Sequence, residues 1–503
     1  MDGRHLVPED VERVARYGAK VSLAPSAKRR ISRSAAWVRQ LARRSRPTYG
    51  VTTGLGAFVN RRVDPSQAAE LSRNLILSHS AGLGPPFDLD IIRGAMLLRL
   101  NTLAKGLSGV RPEVTDALVV MLNRGFTPWV PSQGSLGASG DLAPLAHLAL
   151  SFTTGPGGVS PHAQAQYEGE LLPAREALKR AGITPVRLSP KEGLSLTNGP
   201  AFSTAMLALD WMDAGRLLAS AEVASAMALE ALGGAAAAFD PRLHLARGHA
   251  GQISVARRLR ALTLGSQVLD RNAGLQDAYS LRCIPQILGP VWEAHTFVQG
   301  LLTQELNAAT DNPLLFEGKA VSGGNFHGAP IALAADLLKT ALTAAGALAE
   351  RQIDRLVSAP AQTGLPPMLV GRPGKAGLQS GLMMLQYTAA ALCLENRSLA
   401  APDSVHSLPT SGGQEDLNPN AATAAKNLHR IVNNLRFILA IEFVAAAQAL
   451  DLLPAPAIRK LGRGVQRAHT SIRSRIPFLA RDEPLSPHIE ALALMLRTSE
   501  WLP

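Results

Sequence analysis

The chain has 503 residues, enough to bury a large core in two to four domains, and 46% of them are hydrophobic although only 4% are aromatic. This alanine-rich balance favours closely packed helices over a β-sandwich, and the apolar runs are broken before about eighteen residues, which predicts no membrane span. A net charge of +12 raises nucleic acid as a partner, but no zinc-finger spacing or aromatic RNA-binding signature goes with it; two distant cysteines, Cys283 and Cys393, predict a reduced, cytoplasmic protein without a metal site.

Residues 8 to 46 are predicted as two short helices, Pro8 to about Lys20 and Ser26 to Arg46, each with proline at or near its start. Basic residues gather at Lys28, Arg29, Arg30, Arg33, Arg39, Arg43, Arg44 and Arg46, and again from Arg459 to Arg475, and read as solvated helix faces. The helical pattern then stops at a glycine-punctuated loop, Pro47-Thr48-Tyr49-Gly50-Val51-Thr52-Thr53-Gly54-Leu55-Gly56. A helix over Gln67 to Ser80 ends in Ser78-His79, and helices near 88–107 and 112–124 lead to Gly134-Ser135-Leu136-Gly137-Ala138-Ser139-Gly140-Asp141.

In that stretch glycine allows a sharp bend that brings the Gly140 nitrogen onto the Ala138 carbonyl. Ring closure there, with loss of one water from the ring and one from the Ser139 side chain, would leave an exocyclic methylidene. Such a group is an electrophile that no ordinary side chain supplies. A hydrolase elbow is excluded because Asp141 stands two residues past Ser139, where that motif needs glycine. Asp141 is predicted to cap a helix running to about Phe152, and residues 155 to 190, rich in Gly and Pro, are expected to hold loops or a short hairpin.

Long, low-charge, alanine-rich segments follow at 200–239, 285–309, 328–357, 376–400 and 419–452. Helices so apolar around their circumference must be buried on most sides, which predicts a central bundle shared between subunits. The best boundary, Asn198-Gly199-Pro200, separates an N-terminal domain, 1–199, carrying the loops from a helical domain, 200–503. Between or at the ends of the helices stand Gly193-Leu194-Ser195-Leu196-Thr197-Asn198-Gly199, Leu275-Gln276-Asp277-Ala278-Tyr279-Ser280-Leu281-Arg282-Cys283, Gly323-Gly324-Asn325-Phe326-His327-Gly328 and Gln414-Glu415-Asp416.

Taken together, these stretches resemble the aromatic amino-acid ammonia-lyases, whose Ala-Ser-Gly triad matures by itself into methylidene-imidazolone. Tyr49 to Gly56 is similar to the family's Tyr-Gly-Val-x-Thr-Gly-x-Gly lid loop, and Gln276 to Arg282 to its Gln-Asp-x-Tyr-Ser-x-Arg motif. The resemblance spans nearly the whole chain. It implies an all-α, aspartase/fumarase-like fold: a long central helical bundle with a smaller mixed N-terminal region that carries the prosthetic-group loop. It further implies a homotetramer with sites shared between subunits, and a prosthetic group formed from Ala138-Ser139-Gly140 with no external cofactor.

Roles follow from the resemblance and from chemistry. Arg282 would grip the substrate carboxylate, since a guanidinium binds one in a planar, bidentate way. Tyr49 would remove the β-proton and Tyr279 support the prosthetic group and ammonia transfer; a tyrosine can act as base only where its phenolate is stabilised, its ordinary pKa being about 10. Asn198 and Gln276 would donate hydrogen bonds to the imidazolone oxygen or the carboxylate, and Phe326 would wall in the substrate ring and, with Asp141, hold the loop in the form that cyclises. The pair Ser78-His79 is the one carried by histidine-specific members, where tyrosine- and phenylalanine-specific ones carry His-Leu or Phe-Leu. Glu415 stands where those others carry glutamine, so His79 and Glu415 would hold an imidazole.

Some positions depart from the histidine-specific pattern: Thr52 for Asn, Thr197 for an aliphatic residue, Pro200-Ala201 for Thr-Gln, Gly413 for Asn, and Leu417-Asn418-Pro419 for His-Val-Ser. These departures bear on substrate identity more than on reaction type; Ser78-His79 and Glu415 make deamination of L-histidine to urocanate the expected reaction. The alternatives are a tyrosine or phenylalanine lyase or aminomutase of the same family and, in a different class, a catalytically silent helical assembly protein with a basic nucleic-acid-binding face.

Overall fold

The computed structural model describes residues 1–43, 47–272, 274–358, 363–454 and 460–498, so Arg44, Arg46 and Arg459 of the basic clusters lie outside the described residues. The chain is predominantly helical, as predicted, and the strands among the described residues are short. It forms two compact units, each assembled from separated stretches of sequence: Met1–Met212 with Gln299–Asp336 and Pro402–Lys426, and Asp213–Val298 with Leu337–Ala401 and Asn427–Pro503.

In the first unit the helices Pro8–Ala15, Pro25–Ala42 and Pro112–Arg124 each begin on a proline, whose missing N–H costs nothing in a first turn. Pro112–Arg124 ends where Gly125 turns left-handed, at φ 75. Leu89–Ala104 is buried on nearly every side and takes Arg99 and Asn101 inside with its apolar residues. Where loops or a short hairpin are predicted between 155 and 190, strands Gln164–Tyr167 and Glu170–Pro173 form a hairpin that pairs with Thr127–Pro128, and Thr153–Gly155 lies between Gly158–Val159 and Val186–Arg187. Phe87 and Phe202 stack at 5.0 Å between ring centroids in its core.

The second unit carries most of the long helices' length. Ala201–Leu232, Ile284–Leu306, Ala329–Ser358 and Ala421–Asp451 run for 32, 23, 30 and 31 residues. The first helix ends at Ala15, short of the predicted Lys20, and two boundaries in the second unit also differ from prediction. The segment from 200 breaks at Leu232 because Gly233 turns to φ 64, and the helix expected from 376 begins only at Met383, after Gly377 and Gly381 at φ 91 and 59. Ala329–Ser358 and Ala421–Asp451 are long and apolar enough to cross a membrane by composition, but 61% and 89% of those windows are buried within the protein, as core helices are. Cys283 and Cys393 are both free thiols.

Candidate active site

The helix Ala68–His79 stops at Ser80 and carries His79 to the lining of a cavity of roughly 810 Å³ in the first unit. Six further predicted residues line it: Tyr49, Ala138, Ser139, Asn198, Phe326 and Glu415. Gly140 lies buried directly behind Ser139. The lid loop reaches the Glu415 loop through the Ala57 N–H, which donates to Ser411 Oγ at 3.2 Å.

The Ala138-Ser139-Gly140 turn is held from both sides. Gly199 N–H donates to the Ser139 carbonyl and Asp141 N–H to the Gly199 carbonyl, both at 2.9 Å, while residues 138 and 140 form a bridge with each other. Gly140 sits at φ 76, and a Cβ on it would fall within 3.0 Å of the Gly199 backbone. A tight turn that pairs residue 138 with residue 140, and admits no side chain at 140, fits a ring closed between them. Asp141 does not cap the following helix as predicted. Its fully buried carboxylate accepts from Ser135 Oγ, Ser203 N–H and Ser203 Oγ, each at 2.8 Å, so it ties the loop to the helix Ala201–Leu232. Burial pushes this carboxyl up, and the bonds from Ser203 and Ser135 oppose the shift.

Glu415 faces the loop. Ser139 Oγ donates to its Oε1 at 3.1 Å and Thr410 Oγ1 to its Oε2 at 2.9 Å. Beside it, burial holds the His79 imidazole below the ordinary value, against the Leu75 carbonyl and the charge of Glu415, which pull upward. Nδ1 of His79 lies 3.0 Å from Ser78 Oγ. Tyr49 is half-buried, and its hydroxyl is pushed up by burial and by Glu415, with only the Gly56 N–H lowering it. The phenolate that a base requires is thus not stabilised by these surroundings. No lysine or arginine is found among the described residues lining the cavity, whose acidic members are Glu415 and Asp416.

Gln276, Tyr279 and Arg282 belong to the second unit and are absent from that lining. There, Asp277 accepts from the Ala235 N–H at 2.6 Å and fixes the segment, Gln276 and Tyr279 are exposed, and the Arg282 guanidinium lies 4.8 Å over the Tyr279 ring. Arg282 Nε is buried with no hydrogen-bond partner among the described residues.

Sequence reasoning missed Asn312, which lines the cavity, and the buried group behind Asn198 formed by Arg99, Lys191 and Asp311. The run Thr310-Asp311-Asn312-Pro313, polar residues just past the end of a long apolar helix, was the available signal. Of the departures, Thr52 Oγ1 accepts from Thr48 N–H at 2.9 Å inside the lid loop, and Thr197 Oγ1 donates to the Gly193 carbonyl at 3.1 Å. Both hydroxyls are satisfied locally, away from the cavity lining.

The chain matches the family described as "Aromatic amino acid lyase" over residues 6–474. It is 45% identical over 502 residues to the histidine ammonia-lyase of Symbiobacterium thermophilum, covering 99% of this chain and 96% of that protein. Among solved structures, the tyrosine aminomutase of Streptomyces globisporus superposes with a TM-score of 0.92 at 38% identity, covering 99% of this chain and 97% of that one. The histidine ammonia-lyase of Trypanosoma cruzi does so at 0.90 and 35%, covering 100% and 95%.

Proposed function

The chain belongs to the aromatic amino acid lyase family, and from that premise we propose that it is an ammonia-lyase that converts L-histidine to urocanate and ammonia. The observation that carries the substrate assignment is Glu415, a carboxylate whose Oε1 lies 3.1 Å from Ser139 Oγ in a cavity that also holds a neutral His79. Together they offer an acceptor and a neutral imidazole to the two ring nitrogens of a histidine side chain. Phe326 adds an aromatic wall to the same cavity.

Ala138, Ser139 and Gly140 would form methylidene-imidazolone, which supplies the electrophilic carbon that makes loss of ammonia feasible. Asn198 and Gln276 would donate N–H groups to oxygens of that group or of the substrate carboxylate. Tyr49 would hold the β-proton on its hydroxyl oxygen after removal, and Tyr279 would pass a proton toward the departing amine.

Gln276, Tyr279 and Arg282 would reach the cavity from a second copy of the chain in a homotetramer. Two observations support this: the cavity lining has no lysine or arginine for the substrate carboxylate among the described residues, and the second unit exposes apolar side chains at Phe297, Met384, Tyr387 and Leu394.

Purified protein incubated with L-histidine, L-tyrosine and L-phenylalanine in parallel tests the reading. Urocanate absorbance should rise with L-histidine alone. Cinnamate-type products from tyrosine or phenylalanine, without urocanate, would replace it with a lyase for those amino acids, and β-amino acids would replace it with an aminomutase such as the one in the Streptomyces globisporus structure. Salt-sensitive binding of nucleic acid with no turnover of any of the three would favour the assembly protein.

A further inference from the structure

We propose that Lys191, Arg99 and Asp311 are positioning residues that fix Asn198 and, with two cations on one carboxylate, leave one positive charge directed through it at the reacting oxygen. The inference rests on the activity proposed above. Lys191 Nζ donates to the Ser108 carbonyl at 2.9 Å, Ser195 Oγ at 3.0 Å and Asp311 Oδ2 at 2.9 Å. Ser195 Oγ spends its own hydrogen on the Ser108 carbonyl at 2.9 Å and so is an acceptor for the lysine. All three ammonium hydrogens are thereby used, as the charged form requires.

Asp311 Oδ1 accepts from Asn198 Nδ2 at 3.2 Å, and Arg99 donates to the Asn198 carbonyl. Side chain and main chain of one residue are therefore held by opposite charges. Burial pushes Arg99 down to about 10, against the pull of Asp311, so it remains cationic at neutral pH. Burial also pushes Lys191 down, and the Asp311 charge opposes it; for Asp311 burial acts upward but Lys191 and Arg99 outweigh it and hold the carboxyl low.

A purely structural pair needs one cation for one anion, since burying an uncompensated charge is costly. Here the third charge has a use. Asn198 lines the cavity with Ser139, and its amide nitrogen donates to Asp311 Oδ1 at 3.2 Å and to the Asn312 carbonyl at 3.4 Å, the longer contact being the one that an oxygen gaining negative charge would displace. The cluster thus decides which way the amide points and biases it toward an oxygen that gains negative charge.

Two full-length variants separate the elements of the proposal. Lys191→Met removes the excess cation and leaves Arg99 and Asp311 as a neutral pair; Asp311→Glu keeps the charge balance and moves the carboxylate by one methylene. In protein that intact mass shows to have lost two waters, the near-ultraviolet absorption of the matured loop should move to shorter wavelength. A positively biased donor at the carbonyl of a conjugated system lowers its excitation energy, and the variants weaken that donor. kcat on L-histidine should fall by ~10-fold or more while KM stays within ~3-fold.

A matured variant with wild-type absorption and wild-type kcat would overturn the inference alone, and Asp311→Glu is decisive where Lys191→Met does not fold. Wild-type protein that shows neither double dehydration nor ammonia release would bring down the proposed activity, and this inference with it.

Discussion

A methyl group at residue 140 should be among the most damaging single-carbon additions in the chain. Gly140 lies at φ 76, so Gly140→Ala carries left-handed strain of about 1 kcal/mol. Its Cβ would come within 3.0 Å of the Gly199 carbonyl carbon, its oxygen and its Cα, all backbone atoms that cannot rotate away. To make room, residues 139–141 must part from Gly199 and give up the Gly199 N–H to Ser139 and Asp141 N–H to Gly199 bonds, at about 1 kcal/mol each. Overpacking adds ~1 to 3 kcal/mol, for a total near 4 to 6.

Gly125→Ala isolates the strain from the clash, because Gly125 has nearly the same φ, 75, and no atom within 4 Å of the added carbon. It should cost only about 1 kcal/mol. Chemical denaturation of both variants gives the stability difference, and intact mass gives the yield of doubly dehydrated loop, which should fall by ~10-fold or more in Gly140→Ala alone. Equal unfolding midpoints for the two variants, with wild-type maturation in Gly140→Ala, would refute the claim that the Gly199 backbone forms the cradle.

Ser139→Ala should abolish turnover while leaving the unfolding midpoint unchanged, since the side chain is half-buried and makes one hydrogen bond to Glu415; full activity would eliminate the self-formed electrophile. Glu415→Gln should mature normally but lose ~100-fold in kcat/KM on L-histidine, and an unchanged value would remove the carboxylate from the site. Glu442 is fully buried in the helix Ala421–Asp451 without a hydrogen-bond partner among the described residues, and burial raises its carboxyl well above its ordinary 4.5. The unfolded chain releases this proton as pH passes 4.5 while the folded chain keeps it, so the stability it permits at low pH is lost as pH rises, by up to ~1.4 kcal/mol per pH unit. Glu442→Gln should therefore gain midpoint over wild type at pH 8 and not at pH 4; a constant difference at both would show that Glu442 is ionised in the fold.

The loops were legible because each keeps its chemistry in a few consecutive residues. Tyr49, His79, Ser139, Asn198 and Phe326 sit in glycine-marked or helix-end motifs, and the fold brings all five to one cavity. The helix ends at Leu232 and Met383 were not legible, since an alanine run continues past the first at 235–238 and the breaks depend on backbone turns at Gly233 and at Gly377 and Gly381. Asp141 resembled a cap by its position, and only tertiary contact revealed that Ser135 and Ser203 claim its oxygens instead. Lys191 lies in a stretch rich in proline and glycine, where a lone lysine reads as solvated; its three acceptors come from segments 4, 83 and 120 residues away.

The proton on Tyr49 and the carboxylate of the substrate pose one electrostatic problem. Burial and Glu415 both keep the Tyr49 hydroxyl protonated, and an amino acid entering the same cavity would bring a further carboxylate toward Glu415 and Asp416. Each difficulty is relieved by a cation, and the cavity lining supplies none among the described residues. The buried excess charge behind Asn198 acts at one wall only, through an amide already engaged by Asp311 and the Asn312 carbonyl. Arg282, with Nε unpartnered among the described residues and its guanidinium already over the Tyr279 ring, has the charge and the open donor that both tasks need. A guanidinium delivered from a second copy would at once bind the carboxylate and lower the Tyr49 hydroxyl toward the range where it can accept a proton. Assembly, carboxylate recognition and activation of the base then become a single event, and the isolated chain would hold its electrophile-forming loop in a site unable to use it.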